Sequence, residues 1–138
     1  MNLEIELRKG IGEIAFHKNM DEIVSIIGSP TEIESIGEDM EMPTTIFHYD
    51  NLGFRLFFNN DSLGKLSCID LYNEESTLFN EKIFNLSPEK IILLMKKNNI
   101  LSFEEEEEAW QEKRVSFHEY NVDFYFNDEK LSSVIFGE

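Results

Sequence analysis

The sequence predicts an α+β protein, a tandem repeat of one helix followed by an antiparallel meander, with the two helices packed on one face of an antiparallel sheet. Three observations lead there. Residues 47–56 (Phe47-His48-Tyr49-Asp50-Asn51-Leu52-Gly53-Phe54-Arg55-Leu56) are echoed by residues 117–126 (Phe117-His118-Glu119-Tyr120-Asn121-Val122-Asp123-Phe124-Tyr125-Phe126), with Phe, His, Asn and Phe recurring at an offset of 70. Lys65-Leu66-Ser67-Cys68-Ile69 is echoed by Lys130-Leu131-Ser132-Ser133-Val134. Each echo is preceded by a short apolar segment with helix start and stop signals. In a chain of 138 residues the two units, about 1–73 and 74–138, form a single domain.

The elements follow in order. Leu3, Ile5 and Leu7 alternate with Glu4, Glu6 and Arg8, a short period-two strand that Gly10-Ile11-Gly12 interrupts. Ile14-Ala15-Phe16 resumes extended structure. Asn19 is placed as a helix N-cap with Glu22 completing a capping box, and Ile23, Val24, Ile26 and Ile27 give the apolar face. Gly28 and Pro30 end this helix of about 8 residues, too short to persist without tertiary packing. Thr31 to Pro43 is polar and acidic and reads as a loop with some extended structure. Strands follow at about 44–50, 53–59 and 65–72 on β-branched and aromatic content, with turns at Asp50 to Gly53 and Asn59 to Asp61. In the second unit Leu78, Phe79, Ile83 and Phe84 lead in. Ser87 caps a helix opened by Pro88, and Ile91, Ile92, Leu94 and Met95 form its apolar face up to Asn98-Asn99. Strands at about 112–120, 122–127 and 130–136 complete the plan, with turns at Asn121 and Asn127-Asp128.

Composition limits the function. Hydrophobic residues make up 41% of the chain and include twelve Phe, enough for a packed core, so the charge does not imply disorder. The formal net charge is −16, from 28 acidic and 12 basic residues. Such a surface repels phosphate backbones and anionic lipid and attracts a basic protein, while the plainer reading is solubility alone. Residues 19–54 hold no Lys or Arg but carry Asp21, Glu22, Glu32, Glu34, Glu38, Asp39, Glu41 and Asp50. The single cysteine, Cys68, excludes an intrachain disulfide and reads as a small core residue. No basic segment followed by an apolar one opens the chain, and no window approaches a bilayer span, which predicts a cytoplasmic protein independent of membranes; the sequence leaves the oligomeric state open, with a monomer favoured.

Met20-Asp21-Glu22-Ile23-Val24 followed by Ile27-Gly28-Ser29-Pro30, with a Lys-Leu-Ser-x-Ile third strand further on, resembles the β-lactamase-inhibitor-protein-like fold, in which a helix and a short antiparallel meander are duplicated. That resemblance implies a binding module whose open sheet face covers a partner. The chain departs from the secreted inhibitors in lacking their disulfides, and from the outer-membrane lipoproteins in lacking a lipidated-cysteine signal. What is left resembles the small acidic immunity proteins of bacterial toxin systems, an analogy of fold and charge.

No residue pattern predicts catalysis, a cofactor or a metal. The glycines near residue 11 lack the rest of a phosphate loop, and Gly28-Ser29-Pro30 is a helix stop, not a nucleophile elbow. His48 and His118 share a repeat position with no ligand at metal-binding spacing, which predicts the same structural place on a strand. The run Glu104, Glu105, Glu106, Glu107 and Glu108 is either an anionic patch for a basic partner or a solvated charge run in a loop or edge strand. Trp110 is either an interface anchor or core. Period two places Phe54, Leu56, Phe58, Phe124 and Phe126 in the core and turns Arg55, Phe57 and Tyr125 to the other face, with Tyr49 or Tyr120 beside them. The expected partner-binding set is therefore the Glu run, Trp110, Tyr125, Tyr49 and Asp50. The expected function is non-catalytic inhibition of a basic toxin domain, such as a nuclease. The alternative is a small-ligand or peptide-binding module, which would need an apolar pocket between helices and sheet.

Overall fold

The computed structural model describes residues 1–37, 43–59, 64–107 and 109–138, with Ala109 described by its backbone alone. The chain opens with strands β1 (Glu4–Glu6), β2 (Gly10–Ile11) and β3 (Ile14–Ala15), then helix α1 (Met20–Ile27) and strands β4 (Glu32–Ile36), β5 (Thr44–Tyr49), β6 (Phe54–Asn59) and β7 (Lys65–Leu71). The second half runs β8 (Thr77–Leu78), β9 (Glu81–Lys82), helix α2 (Pro88–Lys97), β10 (Glu104–Glu107), β11 (Glu112–Phe117), β12 (Val122–Asn127) and β13 (Lys130–Gly137). A single 3-10 turn occupies His118–Tyr120, and a tight turn at Ala109–Gln111, with left-handed backbone at Trp110 and Gln111, joins β10 to β11.

Eight strands form one antiparallel sheet in the order β10-β11-β12-β13-β7-β6-β5-β4. Two four-stranded meanders thus meet edge to edge, joined where β13 pairs β7, with Ile135 opposite Asp70 and Phe136 opposite Ile69. The other five strands make a smaller sheet, β3-β2-β1-β8-β9. In it, β1 lies between the hairpin that opens each half, antiparallel to β2 and parallel to β8. Gly10 permits the tight β2–β3 hairpin: its φ is 144°, and a Cβ there would sit 2.0 Å from the Ile14 carbonyl oxygen.

These facts correct the predicted fold class. Among the described residues the chain is mostly β, 47% strand against 18% helical, and it forms two sheets where one was expected. The two helices are short plugs: α1 buries only Ile23, and α2 buries Pro88, Ile91, Leu94 and Met95. A layer of helices over a sheet is therefore the wrong description, because strands supply most of the core. The short extended segments expected at residues 3–7 and 14–16 and the lead-in around residue 78 combine into the smaller sheet, and the segments holding β4 and β10 become the outermost strands. An outer strand takes its order from backbone pairing with its neighbour, so it needs no apolar alternation of its own. All side chains of β4 and β10 are exposed.

Helix ends formed as their residues dictate. The Asn19 side chain accepts from the Glu22 amide at 2.9 Å, and the Glu22 carboxylate accepts from the Asn19 amide at 3.2 Å. Ser87 caps α2 through the Lys90 amide, with Pro88 at the first turn.

The repeat is deeper than the echo that reveals it, and its register differs. Asn19 and Ser87, the two N-caps, are 68 residues apart, as are β5 and β11, and β6 and β12, while β7 and β13 are 65 apart. A bulge fixes the equivalence. The ladder shifts between Phe57 and Phe58 in one half and between Tyr125 and Phe126 in the other. In each half a bulged serine donates its hydroxyl across the strand, Ser67 to the Phe57 carbonyl at 3.1 Å and Ser132 to the Tyr125 carbonyl at 3.0 Å. The echo at 70 is thus two residues out of structural register. A slip of two leaves every side chain on its own face, so the hydrophobic pattern cannot detect it.

One core serves the whole chain. Phe47 and Tyr49 of β5, Phe54, Leu56 and Phe58 of β6, Phe124 and Phe126 of β12, and Phe136 of β13 cluster with Ile23, Ile91, Ile5 and Ile11 from the helices and the smaller sheet. Tyr49 is 1% exposed, and its hydroxyl donates to the Gly28 carbonyl oxygen at 2.8 Å, tying the end of α1 to β5. Burial pushes its phenol up to about 12. Tyr49→Phe would orphan the Gly28 carbonyl and cost about 1–2 kcal/mol, read as a lower urea midpoint with an unchanged slope.

Candidate functional site

The helices and the smaller sheet pack into the core on one side of the large sheet, the inner face. The outer-face side chains lie outside that core, including Ile46, which is itself buried. Cross-strand register orders the outer face into rows. One row crosses all eight strands as Glu104, Ser116, Asp123, Ile135, Asp70, Arg55, His48 and Glu32. On one side of it runs Glu106, Arg114, Tyr125 and Ser133, and on the other Cys68, Phe57, Ile46 and Glu34. Both outer edges carry carboxylates, and Arg55 and Arg114 are the guanidiniums of the face. Side chains on this face shield one another: Ile46, Asp70 and Ser116 are buried, and Arg55, Phe57, Tyr125 and Ile135 half-buried.

The expected partner-binding residues separate. Glu104 to Glu107 form β10, an exposed edge strand whose acids are largely engaged at home. Glu104 meets His118 at 3.1 Å, Glu105 meets Lys113 at 3.2 Å, and Glu106 pairs with Arg114. Exposed pairs of this kind contribute little stability, so a partner's cations could compete for the same carboxylates. Glu108 lies outside the described residues, as do Glu38, Asp39 and Glu41 of the acidic 19–54 stretch and Asn60 and Asp61 of the expected turn. Trp110 is 91% exposed at the tip of the β10–β11 hairpin, with φ 66° and ψ 38°. A left-handed backbone is unfavourable for so bulky a residue, and the indole contributes nothing to the core in return. Tyr125 lies on the outer face as expected. Asp50 is exposed in the turn after β5, and its amide donates to the Thr31 hydroxyl at 3.0 Å. Tyr49 is corrected: it faces inward, because it pairs with Phe54 on the core side of the ladder.

Two further expectations change. His48 and His118 do not share a strand position. His48 lies on β5, its Nε2 2.8 Å from Glu34, whereas His118 lies in a 3-10 turn. Cys68 is not core: it sits half-buried on the outer face between Phe57 and Gly137. Burial first, then the Asp70 carboxylate, pushes its thiol up to about 11, which makes it a poor nucleophile at neutral pH. Since the folded thiol ionises later than an unfolded one near 9, its stabilisation is complete below pH 9. It is lost as pH rises from 9 through 11, by up to about 2–3 kcal/mol. The difference in urea stability between wild type and Cys68→Ala across that window measures it.

Sequence reasoning passed over Asp70. It is 5% exposed and sits on β7 at the join of the two meanders. Arg55 donates to its Oδ2 through Nε at 3.1 Å and through a terminal nitrogen. This contact holds the Arg55 guanidinium even more firmly protonated than usual. Asp70 Oδ1 has no hydrogen-bond partner among the described residues. A signal existed in the sequence: the third-strand echo sets Asp70 against Ile135, a charge against a hydrophobe.

Among the described residues no group of three or more His, Cys, Asp or Glu side chains gathers as metal ligands, and no helix is long and apolar enough to cross a membrane. Comparison with family models, curated proteins and solved structures finds no match to this chain.

Proposed function

We propose that this protein is a non-catalytic inhibitor that docks a basic protein through the outer face of its large sheet, in the manner of a cytoplasmic immunity protein neutralising a toxin domain such as a nuclease. The observation that carries this reading is Trp110, a 91% exposed indole held in a left-handed backbone at the edge of an acid-lined sheet face. Aromatic anchors dominate interface energy, and the flanking carboxylates would steer a basic partner and pair with its Lys and Arg. The free Cys68 suits a reducing compartment.

The test is co-expression with any toxic domain encoded in a reading frame that neighbours this protein's own. A docking inhibitor restores growth and co-purifies at low salt, with association slowing steeply as salt rises. Absence of a complex at low salt would contradict it.

A further inference from the structure

Asp70 is a carboxylate where the scaffold does not need one. Its counterpart in the second half, 65 residues on, is Ile135, and the two are paired neighbours at the join of the meanders. An isoleucine therefore satisfies the fold at this place. A buried carboxylate there carries a desolvation cost that its ion pair with Arg55 does not reliably offset. Arg55 reaches only Oδ2, so Oδ1 of a side chain just 7% exposed is left without a partner among the described residues. An unsatisfied charged acceptor costs more still. Asp70 also borders a hollow of about 290 Å³ in the outer face, lined as well by Arg55, Tyr125, Ser133 and Ile135, and by Glu112 and Lys113, the last of which is paired with Glu105.

We infer that this hollow receives one arginine side chain of the docked protein, whose guanidinium donates to the Asp70 carboxylate, turned to present its buried Oδ1, while the Tyr125 ring flanks it. The inference deepens the proposed docking role and rests on it for the identity of the partner. A guanidinium fits better than an ammonium. It is planar and weakly hydrated, so it loses less on entering a half-buried site, and it can lie against an aromatic ring. Asp70 would then bridge two guanidiniums, one on each oxygen, and Glu112 would balance the added charge.

The probe is N-acetyl-arginine amide, titrated into the whole protein and followed by amide NMR. Saturable shifts at Asp70, Tyr125 and Ser133 are expected, at least about ten-fold weaker with the uncharged isostere N-acetyl-citrulline amide. Asp70→Asn should abolish them. Ser133→Leu, which fills the hollow and leaves the Arg55–Asp70 pair intact, should weaken them about ten-fold or more, and it decides the matter should Asp70→Asn fail to fold. Shifts spread along β4 and β10 and unchanged in either variant would overturn the inference, as would no shifts at all. A toxin complex whose affinity survives Ser133→Leu would overturn the arginine site and leave docking standing. A probe seated at Asp70 with no toxin complex would support the site and overturn the docking role.

Discussion

Alanine in place of Trp110 should weaken the proposed complex with a basic partner by about 30- to 1,000-fold and leave the folded protein as stable as before. The magnitude is that of a central aromatic anchor, about 2–4 kcal/mol. The neutrality toward folding follows from exposure: an indole 91% open to solvent buries almost nothing that truncation could forfeit. Trp110→Gly sharpens the test. Glycine accepts φ 66° without strain, so that variant should bind as weakly as alanine yet unfold at slightly higher urea. Trp110 is also the one tryptophan of the chain, so its emission reports on docking directly. It should start at the wavelength of a hydrated indole and shift blue as partner is added. Equal affinity in wild type and Trp110→Ala would remove the anchor from the account.

Phe124→Ala should cost about 3–5 kcal/mol, a melting-point drop of about 10–20 °C. Phe124 is fully buried and stands edge-on to Phe117, with ring centroids 5.8 Å apart. Its structural counterpart on β6 is Leu56, also fully buried, and Leu56→Ala should cost about 2–5 kcal/mol. Side chains of both halves belong to one cluster, and β1 and the β7–β13 pairing tie the halves together. Each variant should therefore melt in a single transition, seen identically by far-UV and near-UV circular dichroism. A second transition that leaves the first half folded in Phe124→Ala would contradict a shared core.

What the sequence revealed divides along physical lines. The helix caps at Asn19 and Ser87 and the strands of β5, β6 and β7 were legible because their signals are local: a side chain that accepts an amide three residues on, or apolar residues at period two. The same holds for β12 and β13. The outermost strands were harder. Glu104 to Glu107 carry no β-forming signal and are ordered by pairing with β11, which no local window contains. The smaller sheet was missed for a related reason, since its strands are two or three residues long and depend on β1 meeting a hairpin about 70 residues away. These strands moved the fold class from α+β to mostly β. The slip from 70 to 68 in the repeat was invisible because both registers put the same residues inside. Of the candidate site, Trp110, Tyr125 and the acidic edge were legible by type, while Tyr49 was assigned to the wrong face. Its phenol reads as a surface group, yet its hydroxyl finds the Gly28 carbonyl and lets the ring be buried. Asp70 was discoverable from the third-strand echo alone.

A hydrogen-exchange footprint of the complex tests the central claim most directly. Docking through the outer face predicts slowed exchange along the β10–β11 hairpin around Trp110 and along the strands bearing Tyr125 and Asp70. Exchange in α1, α2 and the β1–β2–β8 strands should be unchanged beyond the general stabilisation that binding confers. Protection confined to the helices and the smaller sheet, with the Trp110 hairpin exchanging as in the free protein, would place the partner on the opposite side and contradict the account.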